Sequence, residues 1–175
     1  TVVIGAGPIG LSIIQFAQLA SADVAVVDVN EQRLAFCADQ LGVRHCLQPG
    51  EHLLDDLRRT FVGDLPTLVF DATGNATSMA RAFDLLDTTG RLVLVGLIQG
   101  DVSFSDPQFH RRELTILASR NSTADDFKRI IDLIEQGRID TTPWITHRAS
   151  LTEAPDSFST WRDPASRTIK AMIEL

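Results

Sequence analysis

A glycine-rich turn near the start of the chain has the composition of a phosphate-binding loop. Gly5, Gly7 and Gly10 follow the pattern G-x-G-x-x-G, after a strand-like run and before a helix-like segment. Gly5 allows a tight turn, Gly7 allows a phosphate to approach the backbone, and Gly10 allows the helix to pack against the strand. Pro8 and Ile9 would form the first helical turn, where free N–H groups attract negative charge. We therefore predict that this turn and its helix bind the pyrophosphate of a dinucleotide.

An acidic residue follows at the position where a dinucleotide would place its adenosine ribose. Asp28 ends the second apolar run, eighteen residues after Gly10. Its carboxylate could accept hydrogen bonds from both ribose hydroxyls and would repel a 2′-phosphate, so the sequence predicts NAD rather than NADP. The alternative is an acid that merely opens the next loop. Arg33, one turn into the following helix, either lies against the adenosine or is an ordinary solvated charge.

The order of the elements predicts the fold that would hold these residues. Apolar strand-like runs alternate with segments whose apolar residues recur at helical spacing. The predicted strands are Thr1–Ile4, Val24–Val27, Val43–Leu47, Thr67–Asp71, Arg91–Leu97 and Leu114–Ser119, and the predicted helices are Ile9–Ala20, Glu31–Leu41, Glu51–Thr60 and Ala76–Leu86, with a loop around Pro107. Strands that are apolar on both faces indicate a parallel sheet covered by helices on both sides. We predict an α/β fold over residues 1–122, a doubly wound parallel six-stranded Rossmann sheet in the order 3-2-1-4-5-6.

The remainder of the chain, residues 123–175, has a different pattern. It alternates helix, strand, helix and strand, at Ala124–Gln136, Pro143–His147, about Thr152–Trp161 and Thr168–Leu175. Ser150 and Glu153 have the spacing of a capping box for the second of these helices. We predict that this segment is part of another sheet whose main body is absent.

The net charge, the length of the apolar runs and the cysteine content of the sequence disfavour several classes of partner and location. A formal net charge of −7 argues against nucleic acid and anionic membranes as partners, because binding to either is driven by an excess of Lys and Arg. The longest apolar runs are strand-sized and no leader precedes the first strand, so we expect neither a membrane span nor a signal peptide. Cys37 and Cys46 are typical of buried thiols in a reducing compartment, and we expect a cytoplasmic protein. The abrupt start on a core strand suggests an excised piece of a longer chain.

Several segments, taken in order, resemble the zinc-type, medium-chain alcohol and polyol dehydrogenases. Thr1–Asp28 is similar to the start of their cofactor domain, and Phe70–Gly74 to their (E/D)-x-T-G turn after the fourth strand. Gly90–Leu97 resembles their G-G-x-x-V-x-V-G fifth strand. Leu114–Asn121 and Trp144–Arg148 resemble their C-terminal third. The similarity covers the whole chain and is closest to the sorbitol, threonine and sugar-acid dehydrogenases.

The resemblance implies further cofactor-binding residues and an activity. Thr73 and Gly74 would flank the central region of the cofactor. Val95, Gly96 and Leu97 would present backbone groups to the nicotinamide carboxamide, and the alternative is that they are plain core strand. The implied activity of the intact enzyme is hydride transfer between NAD and a small secondary alcohol, of the polyol or sugar-acid type.

In that family the catalytic zinc is bound by an N-terminal domain through Cys, His and Glu or Asp. The Cys and His residues of this chain lack paired ligand spacing, and we expect all of them to be structural: Cys37, Cys46, His45, His52, His110 and His147. We therefore predict no metal ligand and no catalytic residue here, and we expect zinc only in the intact enzyme. The isolated chain should be inactive. Arg120 would reach the cofactor or substrate cleft, or else form a surface ion pair.

Three rival interpretations share the glycine-rich turn. A short-chain dehydrogenase would need a Tyr-x-x-x-Lys pair, and the sequence contains no tyrosine. A methyltransferase also has a glycine-rich first turn and an acid after its second strand, but Pro8 and Gly10 fit a dinucleotide better. A nucleotide-sensing Rossmann module without chemistry is the alternative from another functional class. The segment after Thr123 argues against it, since that segment resembles the return into a catalytic domain.

The sixth predicted strand, Leu114–Ser119, should lie at an edge of the sheet. Residues 114–118 carry no charge and no proline, which usually protect an edge strand. Antiparallel pairing with the same strand of a second copy would cover this edge with closed two-fold symmetry. We therefore predict a homodimer through Leu114–Ser119. The alternative is that the segment after Thr123 folds back over the edge.

Overall fold

Six parallel strands form a single sheet with helices between them. The computed structural model describes residues 1–175 with every side chain except that of Pro164, and it divides into two compact units, Thr1–Ser122 and Thr123–Leu175. The elements of the first unit are β1 (Val2–Ile4), α1 (Pro8–Leu19), β2 (Ala25–Val27), α2 (Glu31–Leu41), β3 (His45–Leu47), α3 (Leu53–Thr60), β4 (Leu68–Asp71), α4 (Ala76–Ala82), β5 (Arg91–Leu94), α5 (Asp106–Arg111) and β6 (Thr115–Ala118). The strand order β3-β2-β1-β4-β5-β6 confirms the predicted doubly wound fold.

The order in which successive strands are added to the sheet reverses between β1 and β4, and the candidate site lies at this point. Val3 is paired with Val26 of β2 on one side and with Phe70 of β4 on the other. The loops that leave β1 and β4 therefore diverge to opposite sides and open a crevice at the carboxyl ends of the strands. Ligands of open α/β sheets bind at this topological switch point.

The core lies on both faces of the central strands. Val2, Val3, Val26, Val69 and Leu92 are fully or almost fully buried, because helices cover both faces of the sheet. Short β-branched runs are suited to such doubly covered strands, and burying each of these side chains stabilises the fold by about 1.5–3 kcal/mol.

Two predictions between β5 and β6 were wrong. The strand predicted to reach Leu97 ends at Leu94. The N–H of Val95 still donates to the carbonyl oxygen of Asp71 in the register of the ladder, but the N–H of Gly96 donates to the same oxygen, so the ladder does not continue. The loop predicted around Pro107 contains the short helix α5, in whose first turn a proline loses no hydrogen bond.

The second unit contains α6 (Ala124–Glu135), β7 (Ile145–Ser150), α7 (Ala154–Arg162) and β8 (Lys170–Glu174). Its strands pair in parallel and form a sheet of only two strands. The strand predicted to start at Pro143 starts at Ile145 instead, since a 3₁₀ turn occupies Thr142–Trp144. No helix in the described part of the chain is long and apolar enough to span a membrane.

The capping box predicted for α7 is present as a pair of bonds but does not cap the helix. The backbone N–H and hydroxyl of Ser150 donate to Glu153, but Ser150 belongs to β7 and Glu153 itself precedes the first residue of α7. A true capping box begins α6 instead. There the hydroxyl of Thr123 accepts from the backbone of Asp126, whose carboxylate accepts from the N–H of Thr123.

Candidate functional site

Two glycines of the turn after β1 are required by the fold itself. Gly5 has a φ of +96°, which side chains rarely allow, and its N–H donates to the carbonyl of Val27 at 2.8 Å. A Cβ on Gly10 would lie 1.7 Å from the carbonyl oxygen of Gly5, so α1 can cross the turn at this distance only without a side chain. The structural reasons predicted for these two residues are therefore present in the geometry.

Gly7 differs, because nothing in the protein requires a glycine there. Its φ of −79° and ψ of −178° are open to any residue, and the nearest atom to a Cβ would be Nη1 of Arg33, 3.9 Å away. Gly7 precedes Pro8, the first residue of α1, and the first helical bond runs from the N–H of Leu11 to the carbonyl of Gly7 at 2.9 Å. The N–H groups of Ile9 and Gly10 come before that bond and lack a helical partner. Gly7 thus leaves space beside donors suited to a phosphate.

Asp28 ties the end of β2 to the phosphate turn. It is 7% exposed, and its Oδ2 accepts from the N–H of Ala6 at 2.6 Å while its Oδ1 accepts from the N–H of Asn30 at 2.8 Å. Each carboxylate oxygen can accept a second hydrogen bond. The residue therefore holds the turn in place and still has acceptor capacity for a pair of hydroxyl groups.

Arg33 is brought to the same turn by the start of α2. The side chain of Asn30 caps this helix, accepting from the N–H groups of Gln32 and Arg33 at 2.9 and 3.2 Å. The guanidinium lies beside Gly7, and it has no carboxylate partner within 4 Å among the described residues. Its positive charge is thus available next to the candidate phosphate position.

On the other side of the switch point, the loop after β4 is fastened to a buried carboxylate. Asp71 ends β4, and its Oδ1 accepts from the N–H and the hydroxyl of Thr73 at 2.9 and 2.6 Å. Its Oδ2 accepts from the hydroxyl of Ser78 in α4 at 2.6 Å. Sequence reasoning included Asp71 in a matching segment but assigned it no role. An acid at the end of an apolar strand, two residues before a threonine, was the available signal.

Two further glycines bring the loop after β4 against the segment after β5. A Cβ on Gly96 would lie 2.4 Å from the backbone nitrogen of Gly74, so these backbones touch. Gly74 has a φ of +62°, and the carbonyl oxygen of Leu97 lies 3.3 Å from where its Cβ would be. Val95 and Leu97 flank this contact, and both lie beyond the end of β5. The predicted residues on this side therefore form one joined pair of loops.

A cleft of about 630 Å³ opens at this edge of the sheet. Five of the predicted residues line it: Gly5, Gly7, Asp28, Arg33 and Thr73. Seven others lie outside its wall, in the first turn of α1 or in the joined loops: Pro8, Ile9, Gly10, Gly74, Val95, Gly96 and Leu97. Arg120 follows β6, is exposed and does not line the cleft either.

Sequence reasoning missed an apolar wall of the cleft. Leu53, Leu54 and Leu85 supply an apolar surface from α3 and from the turn after α4, and Asn75 and Arg81 add polar groups from α4 and its cap. The available signal was their position, since α3 and α4 begin just beyond the carboxyl ends of β3 and β4. An apolar wall of this kind suits a flat, weakly polar ring system.

Nothing in the described residues forms a metal site, since no three His, Cys, Asp or Glu side chains come together. Cys37 is buried in α2, and burial, with smaller effects of Cys46 and Asp28, raises the pKa of its thiol to about 12. Burial also raises the pKa of Cys46. Neither cysteine forms a disulfide. Two protonated thiols are poor ligands for zinc, which binds the thiolate.

Comparison with known proteins gives one family match and several relatives. A family model described as zinc-binding dehydrogenase matches residues 8–136. L-galactonate-5-dehydrogenase of Escherichia coli (strain K12) is 38% identical over 146 residues, which are 83% of this chain and 43% of that protein. The chain spans about half the length of the relatives that it matches.

Two solved structures add information on nucleotides. A protein from Escherichia coli CFT073, described as the short chain alcohol dehydrogenase rspB complexed with the cofactor NADH, has a TM-score of 0.87 and 27% identity, covering 99% of this chain and 51% of that one. A zinc-binding dehydrogenase described as putative, from Sinorhizobium meliloti 1021 and bound to NADP, has a TM-score of 0.88 and 25% identity, covering 99% and 52%.

Proposed function

The chain belongs to the zinc-binding dehydrogenase family, and we propose that it is the NAD(H)-binding portion of an oxidoreductase acting on secondary alcohols. The observation that carries this proposal is the space at Gly7. The fold does not need a glycine there, and the space is bordered by free helical N–H groups and by the guanidinium of Arg33. A pyrophosphate fits this combination of donors, positive charge and room.

The proposed roles of the predicted residues divide along the cleft. The N–H groups of Ile9 and Gly10 would donate to the pyrophosphate, with Gly5, Gly7 and Pro8 shaping the turn. Asp28 would accept from the adenosine ribose, whose base would lie toward the apolar wall, and Arg33 would neutralise phosphate charge. Thr73, Gly74 and the backbone of residues 95–97 would orient the nicotinamide half, so that one ring face is presented to the substrate. A bound nicotinamide would supply the hydride acceptor for oxidation of the alcohol.

NAD is the proposed partner in preference to NADP. The carboxylate of Asp28 is held in place by two backbone donors at 2.6 and 2.8 Å and cannot easily turn away from a 2′-phosphate. The like charges of the carboxylate and a 2′-phosphate would oppose binding of NADP. A difference of about 1.4 kcal/mol between the binding free energies of the two nucleotides gives tenfold selectivity. One of the two related structures contains NADH and the other contains NADP, so the proposal of NAD for this chain rests on Asp28.

We also propose that the second unit belongs to a catalytic domain. A two-stranded sheet is marginal alone, and β7 and β8 present free edges to which further strands could be added. The zinc ligands would come from outside residues 1–175. A polyol or sugar acid is the proposed substrate class, in line with the relative named for L-galactonate. A cytoplasmic location stays a prediction.

A homodimer through β6 is the proposed assembly. All four residues of β6 are exposed, including Ile116 at 39% and Leu117 at 48%, although β5 pairs with one side of the strand. The other side has backbone groups without a strand partner among the described residues. An apolar, uncharged edge of this kind is normally covered.

Titration of the chain with NADH and NADPH, followed by nucleotide fluorescence, tests the proposed function. We expect NADH to bind at least about tenfold more tightly than NADPH. AMP should compete with NADH, since it occupies the adenosine half of the cleft. Absence of NADH binding would contradict the function, and equal or tighter binding of NADPH would contradict the role of Asp28.

A further inference from the structure

Asp71 is the one carboxylate with no exposed surface among the described residues, and no proposed contact with the cofactor uses it. Burial of a carboxylate is unfavourable unless hydrogen-bond donors surround it. The residue stands at the end of β4, beside β1, at the switch point of the sheet. The segments that donate hydrogen bonds to Asp71 therefore indicate its role.

The side chain holds the loop after β4 against α4. Thr73 donates twice to Oδ1, through its N–H and its hydroxyl, and Ser78 donates to Oδ2. Both carboxylate oxygens are thus occupied, one by the loop and one by the first turns of the helix. Without the carboxylate, the N–H of Thr73 would be left without this partner in a partly buried position.

The backbone of the same residue holds the segment after β5. Its carbonyl oxygen accepts from the N–H groups of Val95 and Gly96, both at 2.9 Å, and the bond from Gly96 is the one that leaves the register of the ladder. Gly96 in turn touches the backbone of Gly74. A single residue therefore fixes both loops and the contact between them.

We infer that Asp71 is a positioning residue for the nicotinamide half of the cleft. Its carboxylate acts through Thr73 and its backbone carbonyl acts through Gly96, since the side chain itself is fully buried. The adenosine half is organised separately, by the bonds of Asp28 to Ala6 and Asn30. Loss of the Asp71 carboxylate should therefore weaken binding of a whole dinucleotide and spare a ligand that has only the adenosine half. This inference rests on the proposed NAD(H) function.

The test compares dissociation constants for NADH and AMP in wild type, Asp71→Ala and Asp71→Asn. We expect Asp71→Ala to raise the Kd for NADH at least about tenfold and to leave that for AMP within about twofold. Asn keeps an oxygen for Thr73 but turns a donor toward Ser78. The Asn variant should therefore raise the Kd for NADH by an intermediate factor, about threefold. Asp87→Ala is the matched control. The carboxylate of Asp87 likewise accepts from the backbone, from the N–H groups of Leu65 and Thr88, but at the opposite end of the sheet, and its loss should change neither Kd.

Each outcome has a distinct meaning. If wild type binds neither ligand, the proposed function is wrong and the inference falls with it. If wild type binds both, an Asp71→Ala variant that keeps its NADH affinity, or that weakens NADH and AMP equally, overturns the positioning role alone. Should circular dichroism show Asp71→Ala to be unfolded, Asp71→Asn decides: selective loss for NADH supports the inference, and unchanged or equally weakened binding overturns it.

Discussion

A Cβ on Gly10 would lie 1.7 Å from the carbonyl oxygen of Gly5, so the crossing of α1 over the phosphate turn depends on a missing side chain. Gly7, in the same motif, has an ordinary backbone conformation and no protein atom closer than 3.9 Å to a Cβ. The three glycines of one pattern thus serve two different purposes. Gly5 and Gly10 serve the fold, and Gly7 serves whatever occupies the cleft.

Alanine at Gly7 and at Gly10 should therefore have opposite effects. We expect Gly10→Ala to lower the free energy of unfolding by at least about 3 kcal/mol, because helix and turn must separate. Gly7→Ala should leave that free energy unchanged or slightly raised, since alanine restricts the unfolded chain, and should weaken NADH binding at least about tenfold. Urea denaturation and NADH titration measure the two quantities. A Gly7→Ala variant with normal NADH affinity would show that no phosphate approaches this residue.

Much of the fold could be predicted because its signals are local. Element type and alternation follow from apolar runs such as Val24–Val27 and from the helical segments between them. A glycine such as Gly42 marks where a helical segment ends, without knowledge of distant contacts. The end of β5 could not be predicted in this way. Val95 continues an apolar run, and the strand stops where the N–H of Gly96 donates to the carbonyl oxygen of Asp71, out of the register of the ladder.

The same difference between local signals and tertiary contacts applies to the candidate site. The turn around Gly7 and the acid Asp28 were predictable because motif spacing carries the chemistry. The apolar wall of Leu53 and Leu54 was missed, because their position after β3 was a signal but their role depends on which helices line the cleft. The role of Asp71 was missed as well, because the local signal pointed only to Thr73 and its other partner, Ser78, lies in the following helix.

Removing the charge of Asp28 should narrow the selectivity between the two nucleotides. Asn has nearly the same shape, so Asp28→Asn removes the repulsion of a 2′-phosphate while keeping one acceptor for the backbone donors of Ala6 and Asn30. We expect the ratio of the NADPH and NADH dissociation constants to fall about tenfold. Fluorescence titration of both nucleotides measures it, with Asp39→Asn, an exposed acid of α2, as the control. An unchanged ratio would remove Asp28 from the selectivity.

The thiol of Cys37 should be unreactive in the folded chain. Its pKa is raised to about 12 by burial, so the thiolate fraction at pH 8 is about a thousandfold lower than at the usual value. In a Cys46→Ser variant, which leaves a single thiol, native Cys37 should react with a disulfide reagent far more slowly than after unfolding in urea. Equal rates would show that the thiol is not buried as described.

The same shift predicts a pH dependence of stability. A thiol whose pKa is higher in the folded than in the unfolded state favours folding below the unfolded value and loses that contribution as pH rises toward the folded value. The free energy of unfolding should therefore decline between about pH 9 and the folded pKa of about 12. Comparison with Cys37→Ala across this range isolates the effect, because the alanine variant should lack this part of the decline.

Zinc content tests the absence of metal ligands in residues 1–175. Because no group of three ligating side chains converges among the described residues, we expect no stoichiometric zinc after dialysis against buffer. The chain should also produce no NADH from NAD and secondary alcohols such as sorbitol. Metal analysis by atomic emission and an absorbance assay at the NADH band measure these. One tightly held zinc per chain would contradict the assignment, whereas traces well below one would not.

Proline at Ile116 should separate the proposed dimer. In β6 the N–H of Thr115 donates to Gly90 and that of Ser119 to Leu94, so the alternation of a strand turns the N–H of Ile116 away from β5. Proline there removes an outward donor and leaves these bonds to β5 in place. We expect wild type to be a dimer by light scattering and Ile116→Pro to be a monomer that still binds NADH. Ile116→Ala, which keeps the outward N–H, is the matched control and should stay dimeric. A monomeric wild type, or a dimeric proline variant, would show that β6 does not pair across a two-fold axis.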